Sequence, residues 1–345
     1  MIPDDIPAPK PISFTKVIDA LLDEGTPFHP RFLNRLSDLD PEDSVLFAEA
    51  WPKVTLRRRE AILEDMEDIQ MADALLCFES VARLAIKDNA PSVRSCSLRI
   101  LREYEMVELL PVFQDMAEND PDPDVRADAA AGLATYIYMG EVEDISPAKL
   151  KRVEEFLLRL ISSQDTTLVK RRALESLGFS SRREVIGLIE NAYNSDDIDW
   201  VITALFAMGR SANSRWKPLV LNMLTHTQPG VRAEAASAAG ELEIRSTKPL
   251  LLELLEDSDF DVRMAAIWAL SQIGGKGVRE ALENQLEITD DTEEADQIDK
   301  ALDNLDFTEE MHNLAILEIP ADGDEPSEDD YEDIDNDLIS EDDED

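Results

Sequence analysis

Histidine, cysteine and long apolar runs are all scarce in this sequence, and each shortage excludes a class of protein. The three histidines, His29, His226 and His312, lie far apart and none stands beside a glutamate. A metal centre built from clustered imidazoles and carboxylates is therefore not expected. The two cysteines, Cys77 and Cys96, have no metal-ligand spacing and form no disulfide framework, so they read as buried thiols in a reducing cytosol. No H-E-x-x-H, P-loop, G-x-S-x-G or C-x-x-C motif occurs. Acidic pairs such as Asp290–Asp291 lack the spaced oxygens and central glycine of a calcium loop. The reading is of a chain with no catalytic residue, no metal and no cofactor. No stretch of about 18 apolar residues is present, so no membrane span is expected. Met1 to Pro11 holds four prolines and no apolar run, unlike a signal peptide. The expected location is cytoplasmic.

Basic charge is also short. Against 76 acids stand 33 lysines and arginines, for a net −43. From Glu318 to Asp345 there are 16 acids and no base, which leaves 60 acids against 33 bases, or −27, on the rest. Phosphate backbones and anionic membranes are recognised through lysine and arginine, so binding of nucleic acid or membrane is not expected. Basic proteins, or simple solubility, are the two readings that remain.

What is plentiful is helix-forming sequence that repeats. Aromatic residues are 6% and glycines number 12, while Leu, Ala, Glu and Asp dominate. Six segments align without gaps: VRSCSLRILR from Val93, VRADAAAGLA from Val125, VKRRALESLG from Val169, WVITALFAMG from Trp200, VRAEAASAAG from Val231 and VRMAAIWALS from Val262. Their starts are 32, 44, 31, 31 and 31 residues apart, the long interval holding an insertion near Tyr136 to Pro147. A worn seventh copy begins near Glu294 and keeps Ile298, Ala301 and Leu302. In the sixth copy Val262, Ala266, Ala269, Leu270 and Ile273 make one helical stripe. Asp122, Thr166, Asp197 and Asp259 stand where a helix N-cap belongs, and Pro91, Pro123 and Pro229 at the first helical position. Gly178, Gly209 and Gly240 come near the helix ends and read as C-terminal stops. Between these helices lie partner stripes at Leu109–Met116, Leu150–Ile161, Val185–Ala192, Trp216–Leu224, Leu250–Leu255 and Val278–Leu286. Each unit is a helical hairpin that buries its apolar face only by stacking on the next.

The D-x-D-V-R-x-x-A-x-x-A-L pattern of Asp122–Leu133, with Gly132 at the second alanine place, and of Asp259–Leu270 resembles the second helix of HEAT repeats. The period of 31 residues resembles the short, phycobilisome-lyase HEAT-like subtype. The resemblance implies an all-α, right-handed α-solenoid of HEAT-like hairpins. Residues 1–14 then form a flexible N-terminus, 15–87 an irregular helical cap, 88–308 the repeats and 309–345 an acidic disordered tail. Within the cap, Lys16–Leu22, Val45–Trp51, Leu56–Ile69 and Ala72–Ile86 carry helical spacing. Deoxyhypusine hydroxylase, a HEAT-like enzyme, holds iron with repeated His-Glu pairs that are absent here, and HEAT-like DNA glycosylases have basic grooves that this acidic chain lacks.

Two sets of residues stand out. Arg94, Arg126, Lys170, Arg232 and Arg263 recur once per repeat beside an Asp-rich turn, and read as a structural ladder from one repeat to the next. Ile202 and Phe206 in the fourth copy, with Met264 and Trp268 in the sixth, flank a fifth copy that has only Ala233 and Ser237 at the same places. They read as the walls of an apolar groove for a partner, or else as packing between repeats. The expected function is a non-enzymatic scaffold that binds a protein, with a basic partner favoured by the charge. The rival readings are a chromophore-handling protein similar to phycobilin lyases, and an assembly factor whose acidic tail masks its own groove. Tyr331, Ile334, Leu338 and Ile339 are the apolar residues interleaved in that tail.

Overall fold

The computed structural model describes residues 12–73 and 75–318, and side chains as far as Thr308. The predicted tail motif at Tyr331, Ile334, Leu338 and Ile339 lies outside them, as does most of the predicted flexible N-terminus. The described residues hold eighteen α-helices and no strand. They fall into two compact units, one ending at Gly275 and the other starting at Lys276.

The first unit begins with α1 (Phe14–Leu22), α2 (Pro41–Ala50), α3 (Leu56–Ala72) and α4 (Glu79–Ala85). The helix expected over Ala72–Ile86 is shorter than its apolar spacing suggests. Asp73 leaves the helix in an extended conformation and its carboxylate accepts from the Leu75 N–H, so a turn occupies the space before Glu79. The repeats follow as α5 (Pro91–Arg102), α6 (Leu110–Asn119), α7 (Pro123–Gly132), α8 (Ala134–Glu141), α9 (Pro147–Ile161) and α10 (Thr167–Leu177). They continue as α11 (Arg183–Tyr193), α12 (Ile198–Arg210), α13 (Lys217–Met223), α14 (Pro229–Glu241), α15 (Lys248–Leu254) and α16 (Phe260–Ile273). The hairpins are α4–α5, α6–α7, α9–α10, α11–α12, α13–α14 and α15–α16. The second helices stack in the order α3, α5, α7, α10, α12, α14, α16. The insertion of the long interval is α8, which continues the direction of α7 before the chain turns back at Pro147. The second unit is α17 (Val278–Ile288) packed on α18 (Thr292–Glu318), which buries Ile298 and Ala301 of the worn copy.

Local chemistry sets the helix starts. The carboxylates of Asp122, Asp197 and Asp259 and the hydroxyl of Thr166 accept from free N–H groups in the first turn. Pro91, Pro123 and Pro229 stand in the first turn, where no N–H is needed. Val93, Val125, Val169, Val231 and Val262 are fully buried, as are Ala129, Ala173, Ala235 and Ala266 four residues after the last four of them, and Ala204 four residues after Trp200.

The glycines expected to stop the helices do something else. Gly209 and Gly240 lie inside α12 and α14, and Gly178 keeps a right-handed helical conformation. A methyl at Gly178 would sit 3.0 Å from Ala207 Cα, at Gly209 3.2 Å from Ala238 Cα, and at Gly240 2.8 Å from Ala269 Cα. Each glycine thus lets its helix touch the backbone of the next second helix, and the matching alanine completes the contact.

Candidate functional site

The ladder arginines form a series of forks. Arg94 donates from Nε and Nη2 to Asp120, both at 2.8 Å, while its Nη1 reaches the Asp88 carbonyl at 2.9 Å. Arg126 grips Asp165 at 2.9 and 2.8 Å and the Asp120 carbonyl at 2.8 Å. Arg232 grips Asp257 at 2.8 and 2.8 Å and the His226 carbonyl at 2.8 Å. Arg263 donates to the Asp257 carbonyl at 3.0 Å. Arg94, Arg126 and Arg232 therefore each tie their own turn to the next one, a bidentate geometry that lysine cannot copy. The forks hold the Asp165 and Asp257 carboxyls below the usual carboxylate range. The series starts in the N-terminal helices, where Arg59 of α3 pairs with Asp88 and Trp51 donates its indole N–H to the same carboxylate at 3.0 Å.

The ladder is interrupted in the middle. Lys170 takes the arginine place in α10 and makes no fork; instead the neighbouring Arg171 reaches Asp199 at 2.7 Å. In α12 the place belongs to Val201, which is buried. The turn residues change in step. Asp88, Asp120 and Asp257 each accept from the N–H of the helix cap two residues on, and the same bond is made by Ser195 Oγ and His226 Nδ1 at 3.1 and 3.2 Å. Ser195 and His226 thus keep the turn without offering a carboxylate, and they follow the two repeats that lack the arginine. The sequence carried this signal as paired substitutions, one repeat apart.

Beside that interruption runs a half-buried stripe of the second helices. Ile202, Phe206, Met264 and Trp268 are all half-buried, as are Ala233 and Ser237 between them. The empty apolar groove suggested by the small residues is partly filled. The Trp268 ring lies over α14, where a methyl at Gly240 would meet its Cζ3 at 2.6 Å. Ile202 leans toward the start of α14, 3.3 Å from the same test position at Gly230. Phe206 carries the Arg210 guanidinium 4.1 Å above its ring, and that guanidinium is also 4.9 Å from the Phe179 ring. Phe179 meets Tyr138 edge-on at 5.5 Å, and Tyr138 is exposed.

Charged groups run along the same face and were not singled out by the apolar pattern. Glu67 of α3, Arg99 of α5 and Asp128 of α7 form a chain with separations of 2.8 and 3.7 Å. Arg172 pairs with Glu175 at 2.6 Å on α10, and Glu175 accepts from Thr203 Oγ1 of α12 at 3.0 Å. Glu234 and Glu241 stand two turns apart on α14. Burial pushes the Glu234 carboxyl up to about 7, and the charges of Glu175 and Glu241 push the same way while Arg210 and Arg172 pull back. Burial also raises the Glu241 carboxyl and lowers the Arg210 guanidinium.

The family comparison bears on the last of these repeats. The model for HEAT repeats matches residues 217–302. Residues 217–302 therefore carry HEAT repeats. No curated protein sequence matches the chain. Among solved structures, the chain is similar to YibA of Escherichia coli, at 18% identity and a TM-score of 0.42 over 82% of this chain and 98% of that one. It is similar to the CpcE–CpcF complex of phycocyanin lyase from Nostoc, at 18% identity and 0.44 over 66% and 94%. It is also similar to human deoxyhypusine hydroxylase, at 17% identity and 0.37 over 85% and 96%. None of these likenesses reaches a TM-score of 0.5, so none bears on activity.

Among the described residues, no group of three or more His, Cys, Asp or Glu is placed to hold a metal ion, and no helix is long and apolar enough to cross a membrane. Burial pushes the Cys96 thiol up to about 12, which keeps it protonated at neutral pH. A cavity of about 320 Å³ between the ends of α10 and α12 and the start of α11 is lined by Ser180, Ser181, Ser211, Asn213, Ser214 and Trp216 together with Val185, Ile186 and Ile189, with no titratable group.

Proposed function

We propose that this chain is a non-enzymatic scaffold that holds a protein partner against the half-buried face of α10, α12, α14 and α16. The observation that carries the reading is the set of half-buried side chains there. Phe206, Trp268, Ile202 and Met264 put aromatic and apolar surface at partial exposure on helices locked together by close glycine contacts. A preformed surface with aromatic anchors loses little entropy on binding, which favours affinity. The charge of −43 supports a protein partner over nucleic acid.

Phe206→Asp tests the reading. Partner capture by the full chain should fall about tenfold or more, as for a buried anchor, with far-ultraviolet circular dichroism unchanged. Unchanged capture would remove the face from the proposal, and collapse of helicity would make Phe206 a core residue.

A second reading rests on the 31-residue spacing of the last four copies, which resembles the short phycobilisome-lyase subtype. On that reading the same face takes a tetrapyrrole. An absorbance titration with free phycocyanobilin decides it, and an unchanged pigment spectrum rejects it.

A further inference from the structure

The charges on the half-buried face of the second helices do not balance, and the imbalance is local. Glu175, Glu234 and Glu241 lie on α10 and α14, on either side of α12. Of the nearby cations, Arg172 is already paired with Glu175 at 2.6 Å. Arg210 is stacked on Phe206 and Phe179, and its charge meets those of Glu241, Glu175 and Glu234. Three partly desolvated carboxylates therefore face the two guanidiniums of Arg210 and Arg172, and their mutual repulsion is not fully compensated by them. At the matching positions of α16 stand Ala265, Trp268 and Gln272, which add no charge. Lysine and arginine join a long aliphatic stem to a cationic head, a chemistry that matches apolar side chains such as Phe206 and Trp268 on helices packed beside those of the unbalanced carboxylates.

We propose that the occupant of this face is an amphipathic segment of a basic protein, with one lysine or arginine side chain set against Glu234 and Glu241 and its apolar residues against Phe206 and Trp268. This rests on the scaffold reading and names its partner chemistry. A second copy of this chain, at −43, and its own acidic stretch from Glu318 to Asp345 are both disfavoured by repulsion. The arriving cation stabilises the ionised form of Glu234, so docking releases a proton near neutral pH and weakens as the medium becomes more acid.

The test uses the full chain and a displayed library of random peptides, selected at pH 8. The result expected is enrichment of peptides that carry lysine or arginine beside apolar residues at helical spacing. These should bind Glu234→Gln about tenfold more weakly, and should bind the natural chain more weakly at pH 6 than at pH 8. Norleucine in place of the enriched lysine should reproduce the loss. Peptides without basic residues that still depend on Phe206 would overturn the basic occupant and leave the docking face standing. Peptides bound equally well by Phe206→Asp, or no enrichment at all, would overturn both.

Discussion

Replacing Glu234 by glutamine separates the ionisation of this side chain from its shape. The carboxyl of Glu234 titrates near 7 in the folded chain against 4.5 for an unperturbed glutamate. Below the lower value both folded and unfolded chains hold the proton, and the side chain costs nothing. Between the two values the unfolded chain loses its proton first, so stability falls as pH rises, by up to about 1.4 kcal/mol per pH unit. Above the folded value the penalty is complete, at most about 3 kcal/mol. Glutamine keeps the volume and carries no charge, so this pH dependence disappears. Glu234→Gln should therefore match the natural chain near pH 4.5, apart from a constant offset, and exceed it by about 2–3 kcal/mol near pH 8. Urea denaturation at several pH values, read through tryptophan fluorescence, measures the difference, since Trp268 lies over Gly240 on the helix that carries Glu234. A difference that stays flat from pH 5 to pH 8 would refute the reasoning, because Glu234 would then ionise at no cost.

Three further experiments address the architecture. Gly240→Ala should destabilise by about 1–3 kcal/mol despite the better helix propensity of alanine, because the new methyl meets Ala269 Cα; Gly187→Ala, with nothing within 4 Å of the new methyl, should stabilise by about 0.5–1 kcal/mol. Thermal unfolding that ranked the two the other way would discard the close-contact role. Arg126→Ala should cost about 2–3 kcal/mol by leaving Asp165 and the Asp120 carbonyl without their shared donor, and Arg126→Lys should recover less than half of it; full recovery by lysine would show that charge alone matters. Restoring the missing rung with Val201→Arg and His226→Asp together should be more stable than the sum of the single changes by about 1 kcal/mol, and an additive pair would mean that the two turns are too far apart to be joined.

Much of the architecture was legible in the chain itself. The recurring valine, the alanines four and seven residues on and the capping Asp or Thr specify a helix, its start and its buried stripe from neighbours close in sequence. For that reason the six registers and the hairpin partners appear where the spacing put them, and the insertion expected near Tyr136 to Pro147 begins two residues earlier, at Ala134. The arginine ladder was legible as a recurrence, although its interruption needed each arginine to be matched to the turn of the following repeat, a separation of 26 residues for Arg94 and Asp120.

The rest depended on what one repeat presents to another. Gly178, Gly209 and Gly240 have the composition of helix stops, and only the approach of the next helix shows them to be contact points. Ala233 and Ser237 suggested an open floor, but Trp268 lies across Gly240 and covers part of it. Glu234 is one of 76 acidic residues and nothing in its local sequence distinguishes it. Its raised affinity for a proton comes from burial and from Glu175 and Glu241. The sequence alone determined which segments are helices and how they pair, because those choices rest on short-range spacing and capping. The tertiary structure decided which side chains share a face and at what electrostatic cost, because desolvation and repulsion depend on distances that no stretch of sequence contains.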